Sequence, residues 1–286
     1  MQYLSNLKST KFTSAFLATS LALLAYDHTA AHAQEKADEE LPSISHKTKF
    51  VVQAGGIDVG EMSFIIKSDR KTYTLKGSGK TKGIAKWFSS GNAKLESAGS
   101  LLGDRLDAQS HFIKVTDGKK TESLSMNFSG GSITDLQMKP DKSKKHLKDK
   151  YYTIAERDFL NIIDPASTLV LPVPYEKATD PKAACNHLHR VYDGETRYDM
   201  QLSYKKRAKI KTKGYNGNVY VCRLNYIPVS GHKKSNKNIK RMAKSNDMEI
   251  WIAPMQATNV FTPIRINIPT WIGRFTAEPT YFGPAN

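Results

Sequence analysis

Residues 50–77, FVVQAGGIDVGEMSFIIKSDRKTYTLKG, decide the fold class. Phe50 and Val52 alternate with polar neighbours, as do Ile57 and Val59, then Met62, Phe64 and Ile66, then Tyr73, Leu75 and Gly77. A period of two is the signature of a strand with one buried face. Apolar positions switch from odd to even numbers at Gly60, and one extra residue there, a β-bulge, explains both the glycine and the changed parity. Asp69 and Arg70 lie between two alternating runs and predict a turn.

Working outward, the same pattern fills the chain. Asp117-Gly118 predicts a hairpin joining His111, Ile113 and Val115 to Leu124, Met126 and Phe128, and Gly130-Gly131 predicts the next turn. Asp193-Gly194 and Asn216-Gly217 predict two more. Strands then carry Met248, Ile250 and Ile252, and Ile264, Ile266 and Ile268; Pro263 and Pro269 bracket the last and suit an edge or a strand start. Helical signals are few. Ile84, Trp87 and Phe88 have helical spacing within 82–90, and Asp164-Pro165 reads as an N-cap with proline at the first helical position, predicting a brief helix through Ser167 and Leu169. Residues 139–150 and 231–246 read as basic loops. The expected architecture is all-β: a single curled antiparallel sheet, open barrel or spiral of roughly a dozen strands with two or three short helices.

The start of the chain bears on where it acts. Lys8 and Lys11 precede an apolar run from Phe16 to Ala25, and Ala31-His32-Ala33 offers a small-x-small cleavage site. The run is about ten residues long, too short to cross a hydrocarbon core of roughly 30 Å. The reading is a signal peptide over 1–33, a polar, disordered leader over 34–45 and a β domain over 46–286. The protein is therefore expected in the periplasm, without a transmembrane segment in the mature chain. Free nucleotide pools are missing there, which weakens Gly77-Ser78-Gly79-Lys80-Thr81 as a phosphate loop; the full pattern also needs a glycine where Thr74 stands.

The formal net charge is +16, from 43 Lys and Arg against 27 Asp and Glu. The excess is clustered: Lys142, Lys144, Lys145 and Lys148; Lys205, Lys206, Arg207, Lys209, Lys211 and Lys213; Lys233, Lys234, Lys237, Lys240, Arg241 and Lys244. Outside the cytoplasm such clusters suit anionic envelope polymers, lipid headgroups or a protein partner, not nucleic acid, or they are simply solvated faces.

Cys185 and Cys222 are the two cysteines. An even pair in an oxidising compartment reads as a disulfide. The rival is a metal site, because Cys185, His187 and His189 alternate and would share one strand face. If both glycine turns here are tight hairpins, the two cysteine-bearing segments sit two strands apart, about 9.6 Å, beyond disulfide reach. A bridge then needs Cys185 in coil beside its strand, or a curled sheet. No metal or other cofactor is expected.

A search for catalytic patterns gives nothing positive. There is no Gly-x-Ser-x-Gly elbow and no His-Glu-x-x-His helix, and the acid pairs Asp104 with Asp107 and Glu156 with Asp158 read as solvated. No catalytic residue is assigned and no enzymatic activity is expected.

Several stretches in order resemble a known family: Gly56-Ile57-x-Val59-Gly60, Asp164-Pro165-Ala166-Ser167, Val191-Tyr192-Asp193-Gly194, Arg197-Tyr198-Asp199, and Trp251 followed by Pro263-Ile264-Arg265-Ile266 and Gly273. Together they are similar to the exported bacterial proteins of unknown-function family 3108, from about Phe50 to Phe282. The resemblance implies a mostly β, barrel-like periplasmic protein with no assigned catalytic residues. It extends to the alphaproteobacterial envelope-integrity proteins with an open β spiral and one disulfide, and more distantly to lipoprotein carriers with half-barrel folds.

Two functional expectations follow. In the first, a non-enzymatic protein supports envelope integrity by holding a lipid, an acyl chain or a hydrophobic protein segment, with Trp87, Phe88, Trp251 and Trp271 as candidate ligand contacts. In the alternative, the interior is packed and the basic surface binds an anionic envelope polymer or an envelope protein.

Overall fold

The structure, a computed structural model, describes residues 43–82, 91–140, 150–256, 258–270 and 273–285. The segment expected to be a signal peptide, most of the expected leader, the helix expected over 82–90 and the first lysine cluster fall outside the described residues or almost so.

Seven strands form the first meander: β1 (Ile44–Ala54), β2 (Ile57–Ser68), β3 (Thr72–Thr81), β4 (Asn92–Leu102), β5 (Arg105–Asp117), β6 (Lys120–Ser129) and β7 (Ser132–Lys139). A two-residue strand, β8 (Leu171–Pro172), follows. The second meander holds β9 (Leu188–Tyr192), β10 (Arg197–Thr212), β11 (Tyr215–Ser230), β12 (Glu249–Pro254), β13 (Val260–Thr270) and β14 (Gly273–Pro284). All belong to one 14-stranded antiparallel sheet ordered β7-β6-β5-β4-β3-β2-β1-β14-β13-β12-β11-β10-β9, with β8 paired to β13 beside that path. The two meanders join through β1 and β14, and the outer strands β7 and β9 do not bond to each other. The sheet is thus curled but unclosed.

The alternation drives the packing as expected. Tyr73 and Leu75 are buried while Thr74 and Lys76 are exposed. Val52 faces Gly60 but Gln53 faces Asp58, so Val59 is the extra residue of the bulge. Ile57, ahead of that bulge, is 51% exposed and is not a core residue. β1 opens at Ile44, ahead of the boundary drawn at 46, because Ile44 and Ser45 already pair with Ser68 and Lys67.

The two ends of the sheet meet by packing. Ala108, Met126 and Phe128 from β5 and β6 cluster with Val191 and Tyr192 of β9 and with Ile162 and Ile163 of the connecting segment. That segment is pinned along β9: Ile163 donates to Arg190 O (2.8 Å) and accepts from Tyr192 N (3.0 Å). The brief helix expected after Asp164-Pro165 forms only as a 3-10 turn over Ser167–Leu169, with Asp164 Oδ1 accepting from the backbone of Ala166 and Ser167, both at 3.0 Å.

Three expectations need correction. The β10–β11 turn falls at Lys213-Gly214, not at Asn216-Gly217, since Thr212 faces Tyr215 and Asn216 and Gly217 lie inside β11. Gly214 takes φ +86°, and a Cβ there would stand 2.6 Å from Phe282 O, so this glycine meets both a dihedral and a packing demand. β13 is no edge strand; it lies between β12 and β14. Pro263 is tolerated because the β12–β13 register shifts between Trp251 and Ile252, next to it. Lastly, the basic stretch 231–246 is not all loop: α2 (Lys237–Lys244) forms behind Asn236, whose side chain accepts from Asn238 N and Ile239 N. A shorter helix, α1 (Pro181–Ala184), is capped by Asp180.

His46 is 2% exposed against the edge of Phe282, and its Nε2 has no hydrogen-bond partner. Burial lowers its pKa from 6.5 to about 4. Between those values the unfolded chain binds more protons than the folded one, so stability falls as pH drops through that window. Replacing His46 with phenylalanine is expected to gain about 2 kcal/mol at pH 5 over its effect at pH 7.5. Urea unfolding at both values checks it; equal effects would refute the assignment.

Candidate binding site

The inner face of the first meander is sealed at one end and open at the other. His111 faces Met126, Ile113 faces Leu124, and Val115 faces Glu122, so these residues continue one face of the sheet. Leu136 and Met138 of β7 face Met126 and Leu124 and extend it to the edge. Met126 and His111 are buried, whereas Val115 and Leu136 are each 38% exposed. The face therefore runs from packed core to a lip where apolar Val115 stands opposite Glu122. Against the lip lies a cavity of about 270 Å³, lined by Ile113, Val115, Leu124 and Met138.

The β9–β10 turn forms the opposite wall. Asp193 Oδ1 accepts from Glu195 N (2.9 Å) and Thr196 N (2.6 Å), which fixes the turn locally. Gly194, at φ +92°, sits so close that a Cβ would stand 2.9 Å from the Leu124 side chain. Asp193 and Glu195 thus bring carboxylates to the rim of an apolar slot. Beside it, β7 has no second strand partner among the described residues. Arg197 fastens the base of the turn, donating from Nε to Asp158 O (2.9 Å) and pairing with Asp199.

Deeper in, Asp164 gathers a fully buried polar cluster. It accepts from Ser97 Oγ (2.8 Å) and Ser167 Oγ (2.5 Å) and lies 3.0 Å from His111 Nδ1. Tyr73 OH extends the cluster to Ser167 Oγ at 2.6 Å. The residue types are those of a nucleophilic triad, but the geometry is not. Ser97 Oγ and Asp164 Oδ1 both meet the same nitrogen of His111, so no histidine stands between serine and aspartate to relay a proton. Burial raises the Tyr73 hydroxyl pKa well above its ordinary value, and it stays a neutral hydrogen-bonding group. The cluster ties the connecting segment to β3, β4 and β5. Sequence reasoning assigned only the cap at Asp164, because the partners are remote in the chain and no local spacing signals them.

Of the four aromatic candidates, Trp87, Phe88 and Trp271 lie outside the described residues. Trp251 is half-buried beneath the Arg265 guanidinium, 4.6 Å from its ring, and donates from Nε1 to Glu249 (3.2 Å). It packs beside Ala253, Ile264 and Phe282 and lines none of the cavities described here. Cys185 and Cys222 are bonded, with Cα atoms 5.5 Å apart. Cys185 follows α1 and precedes β9, the coil position that is one of the two ways expected to bring the cysteines within reach. Asp158, read as solvated, accepts from Ala155 N and Ser230 Oγ.

The basic clusters stay on the surface. Arg207, Lys209 and Lys211 are exposed along β10, and Lys237, Lys240, Arg241 and Lys244 along α2. Lys205 is paired with Glu249. Among the described residues no helix is long and apolar enough to cross a membrane.

Among solved structures, the chain is similar to a β-barrel-like protein of domain of unknown function DUF1849 from Brucella abortus. The identity is 8%, the match covers 85% of this chain and 98% of that one, and the TM-score is 0.47. No curated protein matches the chain. The profile of the family described as "Protein of unknown function (DUF3108)" matches residues 49–280, which is nearly the whole sheet from β1 to β14. The chain belongs to that family.

Proposed function

We propose that this is a non-enzymatic exported protein that supports the cell envelope by holding an acyl chain of a lipid in the slot beside β7. The observation that carries this reading is the lip itself. Ile113, Val115, Leu124, Leu136 and Met138 continue the buried face to an open edge, where burial of apolar surface by a chain would stabilise binding by about 25 cal/mol per Å². A hydrophobic protein segment is the competing occupant, since among the described residues β7 has no strand on its outer edge and could take one by strand addition. The reading also takes the apolar run and Ala31-His32-Ala33 as an export signal.

Native mass spectrometry with lipid extraction, on protein recovered from the periplasm, tests it. The expected species starts at Gln34, is oxidised at its cysteines and carries an extractable acyl mass that Val115→Lys abolishes. Val115 is at the lip, so that variant should fold. A chain that is empty and takes up no fatty acid or phospholipid would sink the reading. Binding to anionic polymer that collapses with salt would instead favour the exposed Arg207, Lys209 and Lys211 stripe.

A further inference from the structure

The outer face of the first meander carries a row of side chains that crosses five strands. Lys49 on β1 faces Ser63 on β2, Ser63 faces Ser78 on β3, Ser78 faces Lys94 on β4, and Lys94 faces Lys114 on β5. Lys114 alternates with Ile113 and Val115, so the row lies on the opposite side of the sheet from the slot and does not depend on what fills it. Its members are exposed except Ser63, which is half-buried.

The row holds no acid. In the two rows that flank it the lysine of β3 faces a carboxylate: Lys76 pairs with Glu96 at 3.6 Å and Lys80 with Glu61 at 3.3 Å. Lys49, Lys94 and Lys114 have no such partner among the described residues. Lys94 and Lys114 also stand directly opposite each other, a like-charge pairing that destabilises a sheet and that a bound anion would relieve.

The middle of the row is a trough. Two short serines sit between two long lysines, and a cavity of about 470 Å³ opens there, lined by Lys49, Ser63, Ser78, Lys80 and Lys94. Neither serine hydroxyl has a hydrogen-bond partner among the described residues. At about 4.8 Å per strand, each flanking lysine Cα stands about 7 Å from the midpoint of the serine pair. A lysine stem reaches about 6 Å, so both ammoniums can close over that midpoint from opposite sides while the hydroxyls donate from below. Glu61 lines the same cavity, but Lys80 and Lys82 hold its carboxylate. Donors converging from two sides and from the floor suit a group with three acceptor oxygens better than a carboxylate with two.

We propose that Lys49, Ser63, Ser78 and Lys94 form a binding site for a phosphoryl group, with Lys114 adding charge at its side. The test is titration of the oxidised mature chain with inorganic phosphate at low salt, followed by amide NMR shifts, with parallel co-sedimentation on phosphatidylcholine vesicles containing phosphatidylglycerol. Saturable shifts are expected at Ser63 and Ser78, with at least a fivefold loss of affinity in Lys94→Gln and in the double variant Ser63→Ala, Ser78→Ala. The serine variant removes no charge, and Lys209→Gln, which removes the same charge from β10 as Lys94→Gln does from β4, should bind as the wild type does. All these positions lie on the sheet surface, so the variants should fold. Vesicle binding with the same dependence on Lys94 and the serines would assign the phosphoryl group to a lipid headgroup; phosphate binding without vesicle binding would assign it to a soluble phosphate. Shifts that fail to saturate, that centre on other residues, or that weaken equally in Lys209→Gln would overturn the site and leave only a diffuse basic surface.

Discussion

Replacing Asp164 with asparagine is expected to destabilise the protein by about 3–5 kcal/mol, because it removes one partner from a buried, charge-assisted cluster. The carboxylate is fully buried and accepts from Ser97 Oγ, Ser167 Oγ and the backbone of Ala166 and Ser167 beside His111 Nδ1. An amide of the same shape turns one acceptor oxygen into a donor that meets other donors. Burial alone would raise the Asp164 pKa; the hydrogen bonds of His111 and Ser167 outweigh it and hold the carboxyl below the usual range. Its ionised form therefore stabilises the fold above the unfolded pKa of about 3.9, and that share is lost as pH falls through the lower folded value. Urea unfolding should show a gap between wild type and variant at pH 7 that narrows below about pH 4. A loss under about 1 kcal/mol at pH 7 would mean the cluster is not a structural hub.

Removing the disulfide should cost nearly as much. The bridge joins residues separated by 37 positions. In the chain-entropy account a loop of that size is worth about 4 kcal/mol. Replacing both cysteines with alanine avoids placing hydroxyls at positions that are 0% exposed. The expected result is a lower denaturant midpoint with a steeper slope, because the unbridged denatured chain is more expanded, and faster proteolysis around 185–192, the short strand at the edge of the sheet. A midpoint shift without that local cleavage would mean that β9 is held by β10 and Ile163 alone.

Much of the sheet was legible because a period of two and a glycine turn are local signals. The parity switch at Gly60, the turn at Gly130-Gly131, the hairpin at Gly118-Lys119 one residue beyond the expected Asp117-Gly118, and the cap at Asp164 all follow from neighbouring residues. The errors arose where tertiary contacts chose among local options. Lys213-Gly214 and Asn216-Gly217 are both acceptable turns, and the approach of Phe282 O selects the first. Pro263 reads as an edge residue until the register shift beside it is known. α2 is masked by its lysines, since only Ile239 and Met242 turn inward and two apolar positions are a faint helical pattern. The candidate slot was hidden for a different reason. Ile113, Val115 and Leu124 look like any core alternation, and only the failure of β7 to meet β9 exposes them. The alternation of His187 and His189 was visible, but burial of the unpartnered nitrogens is a property of the folded chain.

The seam between β1 and β14 makes the sheet answerable to its own completion. His46 faces Pro284 and Ala54 faces Phe275, so the first strand made receives its second neighbour last. Local hairpins can close early, but this pairing carries the largest loop-closure entropy among the described strand pairs and should limit the folding rate. Until then β1 presents a bare edge of eleven residues. A chain cut short before residue 273 would keep that edge exposed indefinitely, ready to recruit a strand from another molecule. Truncated copies should therefore aggregate or be degraded rather than persist as partly working protein.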